Sequence, residues 1–317
     1  MSDTILVGDV GGTNTRFGCA KMMDSQLVIE DFFKTPNDDH KDFGSALNAY
    51  LSQSTHTPSH ACFAIAGPIA DNAVKLTNRN WDISGADLEK EFGFTDVKLI
   101  NDFAAMARAV PELSDHQFHK LIPGTPIATA PIIVAGPGTG FGVATLMTSS
   151  QSGWRVLQGE GGHIAYAPQT GLEFQIAQIL MREHGYVSNE LIASGSGLPA
   201  VHQAFCKVYD CAYKDMHPAD MLALAEDGDE MFIALCKLRA RTVLRAAGDL
   251  VLANGARGGV VLAGGVTERL IPYLSAKDVK PSFASRGPLS HYLDACPVDI
   301  LTEPTAPLIG AAAMHRQ

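Results

Sequence analysis

The sequence predicts an α/β fold with two lobes, each a mixed sheet with flanking helices. Short apolar strand segments alternate with helical spacings along the chain. A strand, a turn of small residues and a second strand occur at 5–20 and again at 132–147, and each copy opens a long segment of mixed helix and strand. Two related halves, each with its own turn, imply a cleft between two lobes that would hold the active site.

The first third of the chain alternates strands and helices. Apolar residues recur at helical spacing over 43–52, and Ser84 is a suitable N-cap for the helix after it. Strands are expected at 5–7, 15–20, 27–35, 62–66 and 97–100, and helices at 43–52, 85–92 and 103–110. Segment 111–131 contains four prolines and predicts a domain boundary, with a small domain at 1–111 and a large one at 112–303.

The remainder of the chain is richer in helix. Strands are expected at 132–135, 143–147 and 260–263, and helices at 172–184, 198–212, 219–225, 229–254 and 307–315. The 229–254 helix carries several charges, which exclude it as a membrane span.

Composition narrows the class of protein. A hydrophobic fraction of 46% and a charged fraction of 18% over 317 residues indicate a folded chain with a sizeable core. The net charge of -10 argues against a nucleic-acid partner. The six cysteines form no Cys-x-x-Cys pair and no signal peptide is evident, so we expect a cytoplasmic protein with reduced thiols and no membrane association.

The first turn is the most informative stretch of the sequence. An apolar strand runs into Gly8-Asp-Val-Gly-Gly-Thr-Asn14, and the chain then returns as a second strand. Glycine allows a ligand to approach the backbone closely, and Asp9 could hold a hydrated Mg²⁺ beside a phosphate. The alternative is an ordinary Gly-Gly hairpin.

The second turn, at 136–142, has glycines two residues apart, which suits a hairpin better than a dinucleotide-binding turn. The P-loop, the nucleophile elbow and the protein-kinase motifs are all absent from the sequence.

Three further sites carry candidate chemistry. Asn101 and Asp102 follow a buried strand, where a carboxylate can act as a base or cap the next helix. Glu160 and His163 lie among glycines and could bind a polyhydroxyl ligand, form a surface turn or belong to a metal site. Glu190 by itself is typical of a solvated helix residue.

Taken together, these segments resemble the bacterial glucokinases of the hexokinase type, in the actin-like ATPase superfamily with its ribonuclease H-like fold. The resemblance rests on five motifs in order: 8–13, 100–103, 136–142, 159–163 with Glu190, and 260–265. A cysteine-rich zinc motif that marks a second branch of sugar kinases and repressors is absent, which favours the zinc-free branch.

The resemblance implies phosphorylation of D-glucose at the 6-hydroxyl, with ATP and Mg²⁺ as cofactors and Asp102 as the base. Implied sugar contacts are Asn101, Asp102, Glu160, His163 and Glu190. Implied nucleotide contacts are Gly8, Asp9, Val10, Gly11, Gly12, Thr13, Asn14, Gly138, Thr139, Gly140, Gly264 and Gly265, with Asp9 holding the metal through water. It also implies a homodimer, and a C-terminal helix at about 304–317 that returns to the small domain.

Alternatives remain open at this point. The chain could be a kinase for mannose, fructose or N-acetylglucosamine, because the sequence does not show the size of the sugar pocket. A non-sugar actin-like ATPase would need no sugar-binding groups, and a non-catalytic sugar sensor would not need Asp102.

Overall fold

The computed structural model describes residues 4–24, 26–76, 79–149 and 153–316. The α/β class expected from the sequence is confirmed. The strands are β1 Ile5–Val10, β2 Asn14–Met23, β3 Gln26–Pro36, β4 His60–Ile65, β5 Ala73–Lys75, β6 Asp82–Ser84, β7 Asp96–Asn101, β8 Phe118–Ile122, β9 Ile132–Pro137, β10 Phe141–Ser149, β11 Gly153–Gly159, β12 Gly259–Leu262 and β13 Val298–Leu301.

The helices alternate with these strands and then dominate the second half of the chain. They are α1 Phe43–Leu51, α2 Gly85–Phe92, α3 Asp102–Ala109, α4 Gly171–His184, α5 Asn189–Ala193, α6 Leu198–Val208, α7 Pro218–Glu226, α8 Glu230–Asn254, α9 Gly265–Arg269, α10 Ile271–Leu274, α11 Ser290–Asp294 and α12 Ala306–His315. None of the helices in the described ranges is both long and apolar enough to cross a bilayer.

Two large sheets repeat one strand order. The first sheet runs β3-β2-β1-β4-β7, and the second runs β11-β10-β9-β12-β13-β8. In each sheet a hairpin pairs antiparallel, β1 with β2 and β9 with β10, and its first strand then pairs in parallel with the next strand of the sheet. The repeat seen in the sequence is therefore confirmed as a duplicated topology, which β8 extends by one strand.

The chain divides into two compact units. The first unit is drawn from Met1–Gln117, Thr148–Gln158 and Glu303–Gln317, and the second from Phe118–Met147 and Gly159–Thr302. The domain limits expected at 111/112 and 303/304 stay predictions.

An aromatic cluster forms much of the core of the first unit. Phe17 stacks on Tyr50 with ring centroids 5.4 Å apart, and Phe43 meets Phe63 edge-on at 5.0 Å. All four rings are buried, and such pairs stabilise a core beyond the burial of their area. These rings cover one face of the sheet that contains β1 and β2, the two strands that the first turn joins.

A buried ion pair supports the second unit. Arg245 of α8 donates to Glu173 of α4 at 2.5 Å, and both side chains are almost fully buried. The Glu173 carboxylate also accepts from the backbone N–H of Gln169, at 2.7 Å. The pair therefore holds the chain that leads into α4 against the long helix α8.

Replacing Arg245 alone should destabilise the fold strongly. Arg245→Met leaves the Glu173 carboxylate buried without a cation, which costs about 3–5 kcal/mol of unfolding free energy. Urea denaturation measures this loss.

Two further variants separate the charge effect from packing. The double variant Arg245→Met/Glu173→Leu should recover most of the loss, because no charge is left buried. Lys207→Met removes the surface pair with Glu183 and should change the free energy by no more than about 1 kcal/mol. A double variant as unstable as the single one would contradict this account.

Candidate active site

The first turn joins β1 to β2 and is held by one buried side chain, Asn37. The Asn37 amide donates to the carbonyl of Gly11 at 2.8 Å and accepts from the Thr15 hydroxyl at 2.8 Å. Its backbone N–H donates to the carbonyl of Thr13, also at 2.8 Å. Three hydrogen bonds from one residue with no exposed surface thus fix the turn from its carbonyl side.

Peptide planarity then sets the direction of the donor groups. In a trans peptide the N–H points opposite to the C=O of the same unit, and no cis peptide occurs in the described ranges. Because the Gly11 carbonyl points at Asn37, the N–H of Gly12 points away from it. That donor therefore lies on the side of the turn opposite to Asn37.

Asp9 sits on β1 and is paired across the strands with Arg16 of β2. The Arg16 guanidinium contacts Oδ2 of Asp9 at 2.5 Å, and the carboxylate is only 8% exposed. Burial raises the pKa of Asp9, and the Arg16 charge and hydrogen bond oppose that shift. Asp9 is therefore a buried carboxylate that is held in place by an ion pair, not a freely solvated one.

The second turn, like the first, has its backbone carbonyls held by hydrogen bonds, but from different partners. The carbonyls of Gly138 and Thr139 accept from the backbone N–H groups of Gly195 and Ser196, at 2.9 and 3.0 Å. Gly195 and Ser196 lie in the linker between α5 and α6. By the same planarity argument, the N–H groups of Thr139 and Gly140 point away from that linker. Both turns thus have their carbonyls engaged and donors turned outward.

Gly264 supports the second turn through close approach. Its φ is 96°, and a Cβ there would lie 2.6 Å from the carbonyl oxygen of Pro137. Only glycine fits both the backbone angle and the space. Gly265 follows as the first residue of α9.

Arg239 of α8 binds the end of α5 and the start of the linker whose N–H groups bind the second turn. Its guanidinium donates to the carbonyls of Ala193 and Ser194, at 2.9 and 3.1 Å. Burial lowers the pKa of Arg239 to about 10. The chain of contacts therefore runs from α8 through the linker between α5 and α6 to the backbone of the turn.

Glu190 of α5 contacts the second turn directly. Its Oε2 accepts from the N–H of Phe141 at 2.7 Å, and a Cβ at Gly140 would lie 2.7 Å from the same oxygen. Its Oε1 lies 3.7 Å from Nε2 of His163. The expectation of a solvated helix residue is therefore wrong, because the carboxylate is engaged by the backbone of the turn and only 26% of the side chain is exposed.

His163 ends a short helical turn, Gly161–His163, and Glu160 is the N-cap of that turn. The N–H of His163 donates to the carbonyl of Glu160 at 3.0 Å, and the Tyr186 hydroxyl donates to the carbonyl of His163 at 2.8 Å. The His163 ring is 61% exposed. The described part of the chain contains no cluster of three or more metal-ligating side chains.

Asn101 and Asp102 lie where β7 passes into α3, and Asn101 is the residue that caps the helix. Asn101 is the N-cap of α3, and its side chain accepts from the N–H of Ala104 at 3.1 Å. Asp102 is the first residue of the helix and accepts from the N–H of Phe103 at 2.9 Å. Because Asn101 already caps the helix, capping does not require the Asp102 carboxylate.

The structure therefore groups the predicted residues in two sets. The first unit contains Gly8–Asn14 with Asn101 and Asp102, and the second contains Gly138–Gly140, Glu160, His163, Glu190, Gly264 and Gly265. Val10 has no exposed surface, which does not favour the nucleotide contact that the resemblance implies for it. Asn37 and Arg239 were missed, because no local motif marks a residue whose partners lie far away in sequence.

Comparisons with known proteins identify the family of the chain. A family model described as Glucokinase matches residues 6–317. The glucokinase of Saccharophagus degradans is 35% identical over 311 residues, covering 97% of each chain. A crystal structure of glucokinase from an Antarctic psychrotroph has a TM-score of 0.88 at 37% identity, covering 100% of both chains.

A more distant structure shares the fold. The ROK family glucokinase from Streptomyces griseus, solved in complex with glucose and AMPPNP, has a TM-score of 0.68 at 18% identity and covers 99% of each chain. The chain therefore has the fold of an actin-like sugar kinase. The chain belongs to the glucokinase family, and it is an enzyme that phosphorylates glucose at the expense of ATP.

Loosening the first turn should weaken nucleotide binding selectively. Asn37→Ala removes the amide that orients the Gly11 carbonyl and a partner of Thr15, at about 1 kcal/mol per hydrogen bond. We expect the KM for ATP to rise roughly tenfold while glucose binding stays within about twofold.

Steady-state kinetics with each substrate varied in turn measures the effect. Asn48→Ala on the exposed side of α1 is the matched control and should leave both KM values unchanged. An equal rise in both KM values would indicate a general loss of folding instead.

Proposed function

We propose that this chain transfers the terminal phosphoryl group of ATP to the 6-hydroxyl of D-glucose, giving glucose 6-phosphate and ADP as the first step of glycolysis. The observation that carries the proposal is the position of Glu190. One oxygen of its carboxylate accepts from the backbone of the second turn, and the other faces His163. A sugar-binding carboxylate that also braces a phosphate turn suits a sugar kinase better than a sugar-independent ATPase.

Asp102 is proposed as the base for the 6-hydroxyl. A carboxylate can orient a hydroxyl and take its proton as the phosphoryl group arrives. Two features support the assignment: Asn101 performs the capping, and the side chain of Asp102 is partly exposed at the end of a buried strand. Ligands of α/β sheets gather at such strand ends.

The proposed sugar contacts are Asn101, Asp102, Glu160, His163 and Glu190. Glucose is neutral and carries several hydroxyls, each of which can donate and accept. Carboxylate, amide and imidazole groups can pair with such hydroxyls, and an analogue that lacks one hydroxyl would leave a buried polar group without a partner. This provides discrimination without requiring charge on the sugar.

The two turns are the proposed phosphate contacts, with Gly264 and Gly265 against the adenosine. Outward N–H groups at Gly12, Thr139 and Gly140 would bind phosphate oxygens locally, which a protein with a net charge of -10 requires. Positioning and charge stabilisation are what phosphoryl transfer asks of the protein.

Asp9 is proposed to hold Mg²⁺ through water. Mg²⁺ usually binds one or two carboxylates with substrate phosphates and retained waters, and a single braced carboxylate fits that pattern. In the described part of the chain Arg16 contacts only Oδ2 of Asp9, so Oδ1 can accept from a water ligand. The ion would neutralise the phosphate charge, and a higher magnesium requirement in Asp9→Asn would test the assignment.

Removing the proposed base should abolish turnover without abolishing sugar binding. For Asp102→Ala we expect kcat to fall by roughly 10²- to 10⁴-fold, with the Kd for glucose changed by less than about tenfold. A coupled ADP assay and calorimetric titration with glucose measure the two quantities.

The matched control is Asp87→Ala, an aspartate in the first turn of α2. It removes a similar interaction with a helix dipole and should leave kcat within about twofold. Near-normal turnover in Asp102→Ala would leave that residue only a structural role.

Glu190 variants should separate its two contacts. Glu190→Ala removes the acceptor for the Phe141 N–H as well as a sugar contact, so both KM values should rise, each by roughly tenfold or more. Glu190→Gln keeps an acceptor oxygen for Phe141 but loses the charge that strengthens bonds to sugar hydroxyls.

We therefore expect Glu190→Gln to raise the KM for glucose while the KM for ATP stays within about threefold. If Glu190→Ala raises only the KM for glucose, the contact between Glu190 and the turn does not contribute to ATP binding.

We also infer a cytoplasmic homodimer. The family resemblance supports the dimer, and the six free cysteines support a reducing compartment. Light scattering at micromolar concentration would test the assembly, and cell fractionation would test the location.

A further inference from the structure

Helix α6 ends in a turn that carries two cysteines. The sequence predicted a helix to residue 212, but α6 stops at Val208 because Asp210 adopts a left-handed conformation with φ of 50°. The N–H of Cys211 then donates to the carbonyl of Cys206 at 2.9 Å. A left-handed residue together with this hydrogen bond defines a Schellman motif.

The motif brings its two cysteines side by side. A Schellman turn places the side chain three positions before the C-cap against the one two positions after it, usually as an apolar contact. In this chain those positions are Cys206 and Cys211. Burial first, and then hydrogen bonding to the adjacent Cys211 thiol, raises the pKa of Cys206 to about 11.

The two thiols differ in access to solvent. Cys206 is 3% exposed, whereas Cys211 is an exposed residue. An oxidant can therefore reach Cys211 first, and Cys206, whose thiol interacts with that of Cys211, is the resolving group.

We propose that Cys206 and Cys211 form a reversible intrachain disulfide when the protein meets a peroxide. The Cys211 thiolate attacks one oxygen of hydrogen peroxide, the O–O bond breaks, and the sulfur becomes a sulfenic acid. The Cys206 sulfur then attacks the Cys211 sulfur and displaces water. In total, two thiols and one peroxide give one disulfide and two waters.

The other four cysteines do not share these properties. Cys19, Cys62, Cys236 and Cys296 are all buried, and burial raises the pKa of Cys62 to about 12 and that of Cys296 to about 11. None of these four is exposed, so none provides the accessible thiol that a peroxide would oxidise first. Oxidation should therefore be selective for the turn.

Formation of the bond would tether the start of the segment between α6 and α7. The chain at 209–217 carries no regular element, and the turn at Asp210 is in a conformation that non-glycine residues adopt uncommonly. A disulfide across that residue would fix it in the left-handed state.

Peptide mapping tests the proposal directly, because Lys207 lies between the two cysteines. The full-length protein is treated with hydrogen peroxide, alkylated and digested with trypsin without reduction. We expect peptides 183–207 and 208–214, each with a single cysteine, to be recovered as one linked species lighter than their sum by two hydrogens. Reduction should separate them.

Two variants control for other chemistry. Cys211→Ser should abolish the linked species, whereas Cys62→Ala should leave it unchanged. Met231 is the internal check, since its sulfur lies 3.7 Å from that of Cys211.

Three results would overturn the proposal: peptide 208–214 recovered unlinked with Cys211 alkylated or as a sulfonic acid, oxidation confined to Met231, or linked peptides found only in a disulfide dimer on a non-reducing gel.

Discussion

Both glycine turns depend on one constraint, which is that a planar trans peptide points its N–H away from its C=O. Engaging the carbonyls on one side of a turn therefore presents the amides on the other. Asn37 engages the first turn, and the linker residues Gly195 and Ser196 engage the second. With their carbonyls already satisfied, the turns have backbone N–H groups on the opposite side, and these are the proposed phosphate contacts.

For the proposed function, this constraint supplies the phosphate-binding groups that an acidic protein needs. A net charge of -10 disfavours long-range attraction of anions. Backbone donors act at short range and carry no net charge, so they remain effective on an acidic surface. Two cations near these elements already have partners: Arg16 pairs with Asp9, and Arg239 donates to the carbonyls of Ala193 and Ser194.

Most of the regular elements could be predicted from the sequence, because their signals are local. Ser84 caps α2 as expected, and the long helix α8 begins directly after its N-cap Asp229. Strands β8 and β13 were missed, since each is short and lies in a stretch without a clear period. Helix α6 was predicted too long because Asp210 has no sequence signal for its left-handed conformation.

The sequence by itself determined the class of fold, the order of the motifs and the residues that could carry chemistry. Those properties depend on residue type and on spacing over a few positions. Only the tertiary structure assigned the cap to Asn101, joined Glu190 to the second turn and revealed Asn37 behind the first. The Asn101 cap is a local contact, but the sequence offered two neighbouring capping residues and did not choose between them. The contacts of Glu190 and Asn37 join the turns to residues far away in sequence, and their approach depends on how strands and helices pack, which local sequence patterns do not specify.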